Sequence, residues 1–143
     1  MKIDKMTEDQ RGELRQLYFV SRKNTFFWED ESKFNLEDFD QDTVDELVLV
    51  ATNEKKVIGF ISLYVEDNFI HCLFVSTEEK GLGVGTLLLK EAKKVLKSPM
   101  KLKCLSRNIA ALNFYESKGW RKIDETQLEN NNDNYWNLIL NEN

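Results

Sequence analysis

One local pattern restricts the fold of this chain more than any other. An apolar run, Phe69-Ile70-His71-Cys72-Leu73-Phe74-Val75, is followed by Lys80-Gly81-Leu82-Gly83-Val84-Gly85-Thr86 and then by an amphipathic stretch to residue 97. Strand, glycine-rich turn and helix in that order leave free N–H groups at the helix start, together with the positive end of its dipole. Glycine lets that backbone come close to a phosphate. The pattern therefore predicts an α/β fold with a diphosphate seated on the turn and Lys80 at its head. Two common phosphate loops do not fit. In a dinucleotide G-x-G-x-x-G the last glycine would fall on Thr86 or on Leu88, and the next strand, residues 101–105, runs into Ser106-Arg107-Asn108 with no acid. No G-x-x-x-x-G-K-[ST] string occurs anywhere in the chain.

The rest of the chain supplies a sheet and its coverings. A short strand near residues 2–5 leads into Thr7-Glu8-Asp9-Gln10, a capping box, after which Leu14, Leu17, Tyr18 and Ser21 recur at helical spacing. Residues 26–43 mix aromatics with acids and show no clean period. Residues 47–51, 57–64 and 69–75 read as strands, with Thr52-Asn53-Glu54-Lys55 and Glu66-Asp67-Asn68 as the turns between them. In the helix after the glycines, Val84, Leu88, Ala92 and Val95 mark the buried face, while Lys90, Lys93, Lys94 and Lys97 point outward. Pro99 and Met100 interrupt the chain before the strand at 101–105, a helix follows Asn108, and strands lie near 121–125 and 135–141. Between the last two, Asn130-Asn131-Asn132-Asp133-Asn134 reads as a turn. This order predicts one domain over residues 1–143 with a mixed, mostly antiparallel sheet.

Charge narrows the partners. The net charge of −5 disfavours nucleic acid and anionic membrane surfaces and suits a cationic partner. No stretch approaches the roughly 18 apolar residues of a membrane span, and Met1-Lys2-Ile3-Asp4-Lys5 begins no apolar signal segment. Cys72 and Cys104 both fall within strands, as reduced buried thiols of a cytoplasmic protein would. No metal site is expected.

A second block makes the glycine turn specific. Asn108-Ile109-Ala110-Ala111-Leu112-Asn113-Phe114-Tyr115-Glu116-Ser117-Lys118-Gly119-Trp120 has a helix-capping asparagine, Ala111 and Tyr115 one turn apart, and a glycine suited to a left-handed stop. It resembles the N-x-x-A-x-x-x-Y-x-x-x-G-[FW] signature of the GNAT superfamily of acetyl-CoA-dependent N-acyltransferases. The glycine turn resembles that family's [QR]-x-x-G-x-[GA] motif after a strand ending in valine. Val75 is the valine, Gly83 and Gly85 the glycines, and Lys80 stands in the Gln/Arg place. Thr77 stands where the family usually has a proline. The resemblance covers roughly residues 45–141.

The resemblance implies a GNAT-like α/β fold, a mixed and mostly antiparallel sheet of six to seven strands with about four helices. Its two central parallel strands, here those ending at Val75 and Leu105, would splay apart at the site for acetyl-CoA, the co-substrate. Cofactor contacts would come from Leu73, Phe74 and Val75, from Lys80, Gly81, Leu82, Gly83, Val84, Gly85 and Thr86, and from Asn108, which could instead serve only as a helix cap. The helix lysines could reach the 3′-phosphate or simply face solvent. Acetyl transfer to an amine needs a neutral amine, a stabilised oxyanion and a proton for the departing thiolate. The family's tyrosine, matched by Tyr115, would supply that proton, or would instead pack on the core with its hydroxyl at the rim.

For the base, His71 is the candidate, the open alternative being a hydrogen-bonded histidine on a half-buried strand. It is the single histidine, on the cofactor strand and in strand parity with Phe69, Leu73 and Val75, and its neutral form would give a rate rising through a pKa between about 6 and 8. Glu46, Glu66 and Asp67 are rivals, as is solvent. Cys104 could carry a covalent acetyl group, but direct attack in a ternary complex is the preferred mechanism. Phe26, Phe27, Trp28, Trp120 and Trp136, with Glu29, Asp30, Glu31, Asp38, Asp40 and Asp42, suggest a cationic acceptor on a small molecule or peptide. They could equally plug the core while the acids face water. A non-catalytic acyl-CoA-binding module is the alternative function, and a homodimer is left open.

Overall fold

A computed structural model of the chain describes residues 1–127 and 134–141. In chain order its elements are β1 (Lys2–Lys5), α1 (Arg11–Thr25), α2 (Asp38–Asp42), β2 (Leu47–Asn53), β3 (Lys56–Tyr64), β4 (Phe69–Val75), α3 (Val84–Val95), β5 (Met100–Leu105), α4 (Ile109–Ser117), β6 (Arg121–Thr126) and β7 (Tyr135–Leu140). The strands form one seven-stranded sheet in the order β1-β2-β3-β4-β5-β7-β6. All neighbouring pairs are antiparallel except β4 and β5. The asparagine-rich turn expected at 130–134 lies outside the described residues except for Asn134.

Local chemistry accounts for most boundaries. The capping box forms: the Thr7 N–H donates to Gln10 Oε1 at 3.0 Å, and a short 3-10 turn at Glu8–Gln10 leads into α1. The β2–β3 turn is tighter than expected. Thr52 and Asn53 stay in β2, and Glu54 and Lys55 make the connection at φ of 51° and 71°, the left-handed pair that a two-residue hairpin needs. Leu89 of α3 and Leu96 just beyond it are buried and Val95 is 38 % exposed, so Val95 does not belong to the buried face. The helix ends at that point: Leu96 turns to an extended conformation and drops its side chain inward.

The sheet separates two cores. On one side Val84, Leu88, Leu89 and Ala92 of α3, with Leu112 and Tyr115 of α4, pack on Ile58, Ile61, Leu63, Ile70 and Leu102. Gly59 permits this approach, since a Cβ there would stand 3.0 Å from the Phe74 carbonyl oxygen and 3.2 Å from Val84. On the other side Leu14 and Tyr18 of α1 and Phe39 of α2 cover Val48, Val50, Phe60 and Cys72. The Tyr18 ring meets Phe60 and Phe74 edge-on at 5.9 and 5.2 Å, arrangements that add to simple burial.

Two irregularities in β4 set the positions of its side chains and of its free edge. Ser62 pairs with Cys72 but Leu63 pairs with Ile70, so His71 is an extra residue bulged out of the β3–β4 ladder. And β4 pairs with β5 only at Phe69–Lys101 and Ile70–Leu102, after which the two parallel strands part. From Cys72 to Val75 the β5-facing edge of β4 has no strand partner, while β5 goes on pairing with β7 as far as Leu105.

Candidate functional site

The glycine turn takes the predicted shape. A 3-10 turn at Thr77–Glu79 follows β4, Gly81 and Gly83 adopt φ of 88° and 81°, and α3 begins at Val84, two residues before the expected start. A side chain rarely tolerates that left-handed geometry, which is why glycine serves there. Gly83 closes the first helical bond, its carbonyl accepting from Leu87 N–H at 3.0 Å. The first-turn N–H groups of Val84, Gly85 and Thr86 are thereby left without helical acceptors. Gly85 has a different reason to be glycine. Its Cβ would lie 3.3 Å from the Phe114 ring of α4.

A cavity of about 770 Å³ runs from this turn through the β4–β5 opening to the end of α1. It brings together Lys80, Gly81, Gly83, Val84, Gly85 and Thr86, the strand residues Leu73, Phe74 and Val75, and Asn108 and Tyr115 of the second block. Leu82 is 66 % exposed and does not line it; the turn directs that side chain to solvent. Lys90, Lys93, Lys94 and Lys97 also stand outside it. Lys118, at the end of α4, does line it, although in the sequence it reads as an ordinary exposed helix residue and carries no signal.

Asn108 is the observed cap of α4, its Oδ1 accepting from Ala111 N–H at 3.2 Å, which leaves its amide N–H₂ and the second lone pair of Oδ1 for a ligand. Tyr115 is 9 % exposed, edge-on to Phe114 and Trp120, and among the described residues its hydroxyl has no hydrogen-bond partner. Burial, and then Cys104 and Cys72, push its pKa up, so at neutral pH it is a phenol with a proton to give. Burial likewise raises the Cys104 thiol to about 11. That removes the thiolate a covalent acetyl-cysteine would require.

His71 does not occupy the position expected of it. The bulge breaks the strand parity: Leu73 and Val75 pack on the α3 side with Ile70, whereas His71 opens into a separate cavity of about 1010 Å³ that shares no lining residue with the first. The rival bases Glu46, Glu66 and Asp67 line that second cavity too. His71 Nδ1 lies 2.8 Å from Glu46 Oε2. The adjacent Cys72 sulfur first and the Glu46 carboxylate second push its pKa up to about 10. His71 thus sits on the Glu46 carboxylate in a cavity apart from the one that Tyr115 lines, a placement that suits a charge-holding pair more than a base acting beside Tyr115.

The same ion pair makes stability depend on pH. Because the folded pKa lies above the unfolded value of about 6.5, the stabilisation is complete below that pH and is lost as pH rises through about 10. The side chain is 40 % exposed, so the effect is that of a partly screened pair. Relative to His71→Gln, the wild-type melting temperature should fall by about 1–4 °C between pH 6 and pH 10.5. Parallel unfolding curves over that range would remove the ion pair from consideration.

The aromatic, acidic segment is largely accounted for by its own packing. Asp40 bridges Arg11 and Arg15, Asp38 pairs with Arg22 at 3.0 Å, and Asp42 accepts from the Tyr18 hydroxyl at 2.6 Å. Glu29 pairs with Lys33, Glu31 with Lys23, and Asp30 caps the turn at Glu31–Lys33. These carboxylates anchor α2 and its approach to α1 rather than surrounding an acceptor. Phe27 and Trp28 do line the cavity, at the α1 end. Phe26 instead packs edge-on against Trp28, and Trp120 and Trp136 belong to the core on the α3 side.

Among the described residues no helix is long and apolar enough to cross a membrane, and none of the His, Cys, Asp and Glu side chains group as a metal site. A sequence profile of the acetyltransferase (GNAT) family matches residues 9–120. Solved structures agree in fold. The apo form of YjaB from Escherichia coli superposes with a TM-score of 0.80 at 21% identity, over 96% of this chain and 95% of that one. The PaiA N-acetyltransferase of Thermoplasma acidophilum, solved with coenzyme A, gives 0.80 at 20% identity over 99% and 98%. The acetyltransferase-like YncA of Salmonella typhimurium, solved with acetyl-CoA, gives 0.73 at 18% identity over 99% and 93%.

Proposed function

This chain belongs to the GNAT acetyltransferase family, and we propose that it moves an acetyl group from acetyl-CoA to a primary amine by direct attack in a ternary complex. The observation that carries this reading is the cavity, whose lining joins the glycine turn, the unpaired edge of β4, Tyr115 and the end of α1. Acetyl-CoA supplies a thioester whose carbonyl carbon an amine can attack. The N–H groups at the start of α3 bind the diphosphate, with Lys80 and Lys118 as flanking cations. The free backbone edge at Leu73, Phe74 and Val75 takes the amide groups of the pantetheine arm as a strand partner would, and an N–H of the same edge steadies the oxyanion. Asn108 donates from its amide nitrogen. As the amine nitrogen bonds to the carbonyl carbon and the C–S bond breaks, Tyr115 gives its proton to the departing sulfur and is reprotonated from solvent, while the ammonium proton leaves to water, since His71 lies in the other cavity.

The acceptor is a primary amine on a small molecule or peptide, cationic in solution, and the exposed ring of Phe27 in the cavity lining supports that choice. The two free, buried cysteines fit a cytoplasmic setting. Thiol release from acetyl-CoA over a panel of primary amines, beside calorimetry of acetyl-CoA binding, tests the reading. Binding with amine-dependent release is expected. Binding without release from any amine would leave an acyl-CoA-binding module, and no binding would overturn the assignment.

A further inference from the structure

At the α1 end of the cavity the described lining residues are Ser21, Asn24, Thr25, Phe27, Trp28 and Arg107, so the one formal charge among them is positive. Among the described residues the single carboxylate lining the whole cavity, Glu79, belongs to the turn before Lys80 at the other end. In the α1–α2 segment Glu29, Glu31, Asp38, Asp40 and Asp42 are engaged by Lys33, Lys23, Arg22, Arg11 with Arg15, and Tyr18, and Asp30 caps a turn. No ion pair or hydrogen bond joins Arg107 to a carboxylate among the described residues. It contacts the Trp28 ring, with Cζ 5.5 Å from the ring centroid. A guanidinium resting on an aromatic face keeps its N–H edge free, and that edge is shaped for two-point contact with a carboxylate.

The position of Arg107 points the same way. It immediately precedes Asn108, the cap of α4, and both line the cavity with Tyr115. The cations suited to the cofactor phosphates, Lys80 and Lys118, are separate residues. An arginine without a carboxylate partner also matters more in a chain of net charge −5, whose general field repels anions.

We propose that Arg107, held against Trp28, is a specificity residue that binds a carboxylate on the amine acceptor, so that the acceptor class is an amino acid or another amine bearing a nearby carboxylate. This rests on the acetyl-transfer reading and extends it to the substrate. The acceptor would then present a cationic amine to the thioester and an anionic group to Arg107.

The test pairs α-amino acids of small, apolar and acidic side chains with their carboxamides in the thiol-release assay. It adds calorimetry of the CoA-loaded protein with the matching N-acetyl amino acids and N-acetyl carboxamides. The free acids should be preferred in kcat/KM. Arg107→Gln should erase that preference by about 10- to 100-fold, the range of a lost charge-assisted contact, while the KM for acetyl-CoA stays unchanged. Arg107→Lys should recover part of it. Equal use of acids and amides by the wild type would overturn the proposal. So would an Arg107→Gln variant that loses acetyl-CoA affinity and keeps its amine preference, which would assign Arg107 to the cofactor. If no amine is acetylated, carboxylate-dependent binding of the N-acetyl compounds that disappears in Arg107→Gln still supports the site, and binding of neither form overturns it. Acetyl-CoA calorimetry on the wild type reports separately on the acetyl-transfer reading.

Discussion

Gly83→Val should remove acetyl-CoA binding, with a fall in affinity of at least about 100-fold in a protein that remains folded. The reason is backbone conformation and not a clash. A Cβ at Gly83 would meet nothing within 4 Å, but the residue holds φ at 81°, where a β-branched side chain is strained. To relieve that strain the turn must change, and the N–H groups at the start of α3 would then point elsewhere. Gly83→Asn should keep more affinity than Gly83→Val, because asparagine tolerates the left-handed region. Calorimetry decides the matter, with circular dichroism as the check on folding. Unchanged affinity in folded Gly83→Val would mean that no diphosphate rests on this turn, and a thermal shift with NAD but not CoA would point to a dinucleotide instead.

Tyr115→Phe should lower turnover by about 10- to 1000-fold and leave acetyl-CoA affinity near normal. Phenylalanine fills the same volume between Phe114 and Trp120, so the fold should survive. What disappears is one hydroxyl with no other partner among the described residues. Since burial raises its pKa above the ordinary value of 10, the acid form persists across the usual assay range, and no alkaline loss of rate below about pH 10 should come from this residue. Loss of affinity with unchanged turnover would make the hydroxyl a ligand. No change in either would make it a packing group.

Much of the site was legible because its chemistry is local. The strand Phe69–Val75, the turn from Lys80 to Gly85 and the capped helix after Asn108 each follow from a contiguous stretch whose spacing has one physical solution. The start of α3 was misplaced by two residues for an equally local reason: Gly83 itself is the cap, at a φ that no letter of the sequence announces as used. The parity assigned to His71 failed because alternation holds only in an unbroken ladder, and the bulge opposite Ser62 and Leu63 is created by the partner strand.

The amino-acid sequence by itself therefore determined the anion-binding turn, the capped helix bearing Tyr115 and most of the strand boundaries, since periodicity, glycine and caps act over a few residues. Only the tertiary structure decided where β4 and β5 part, that β7 lies between β5 and β6, and which charges cancel. Asp40 meets Arg11 and Arg15, and Asp38 meets Arg22, across a connection that has no period to read. By the same circumstance Arg107 reaches the cavity mouth with no carboxylate partner among the described residues. Whether a charge is neutralised depends on what folding brings within a few ångströms of it, and that distance is not written in the order of the residues.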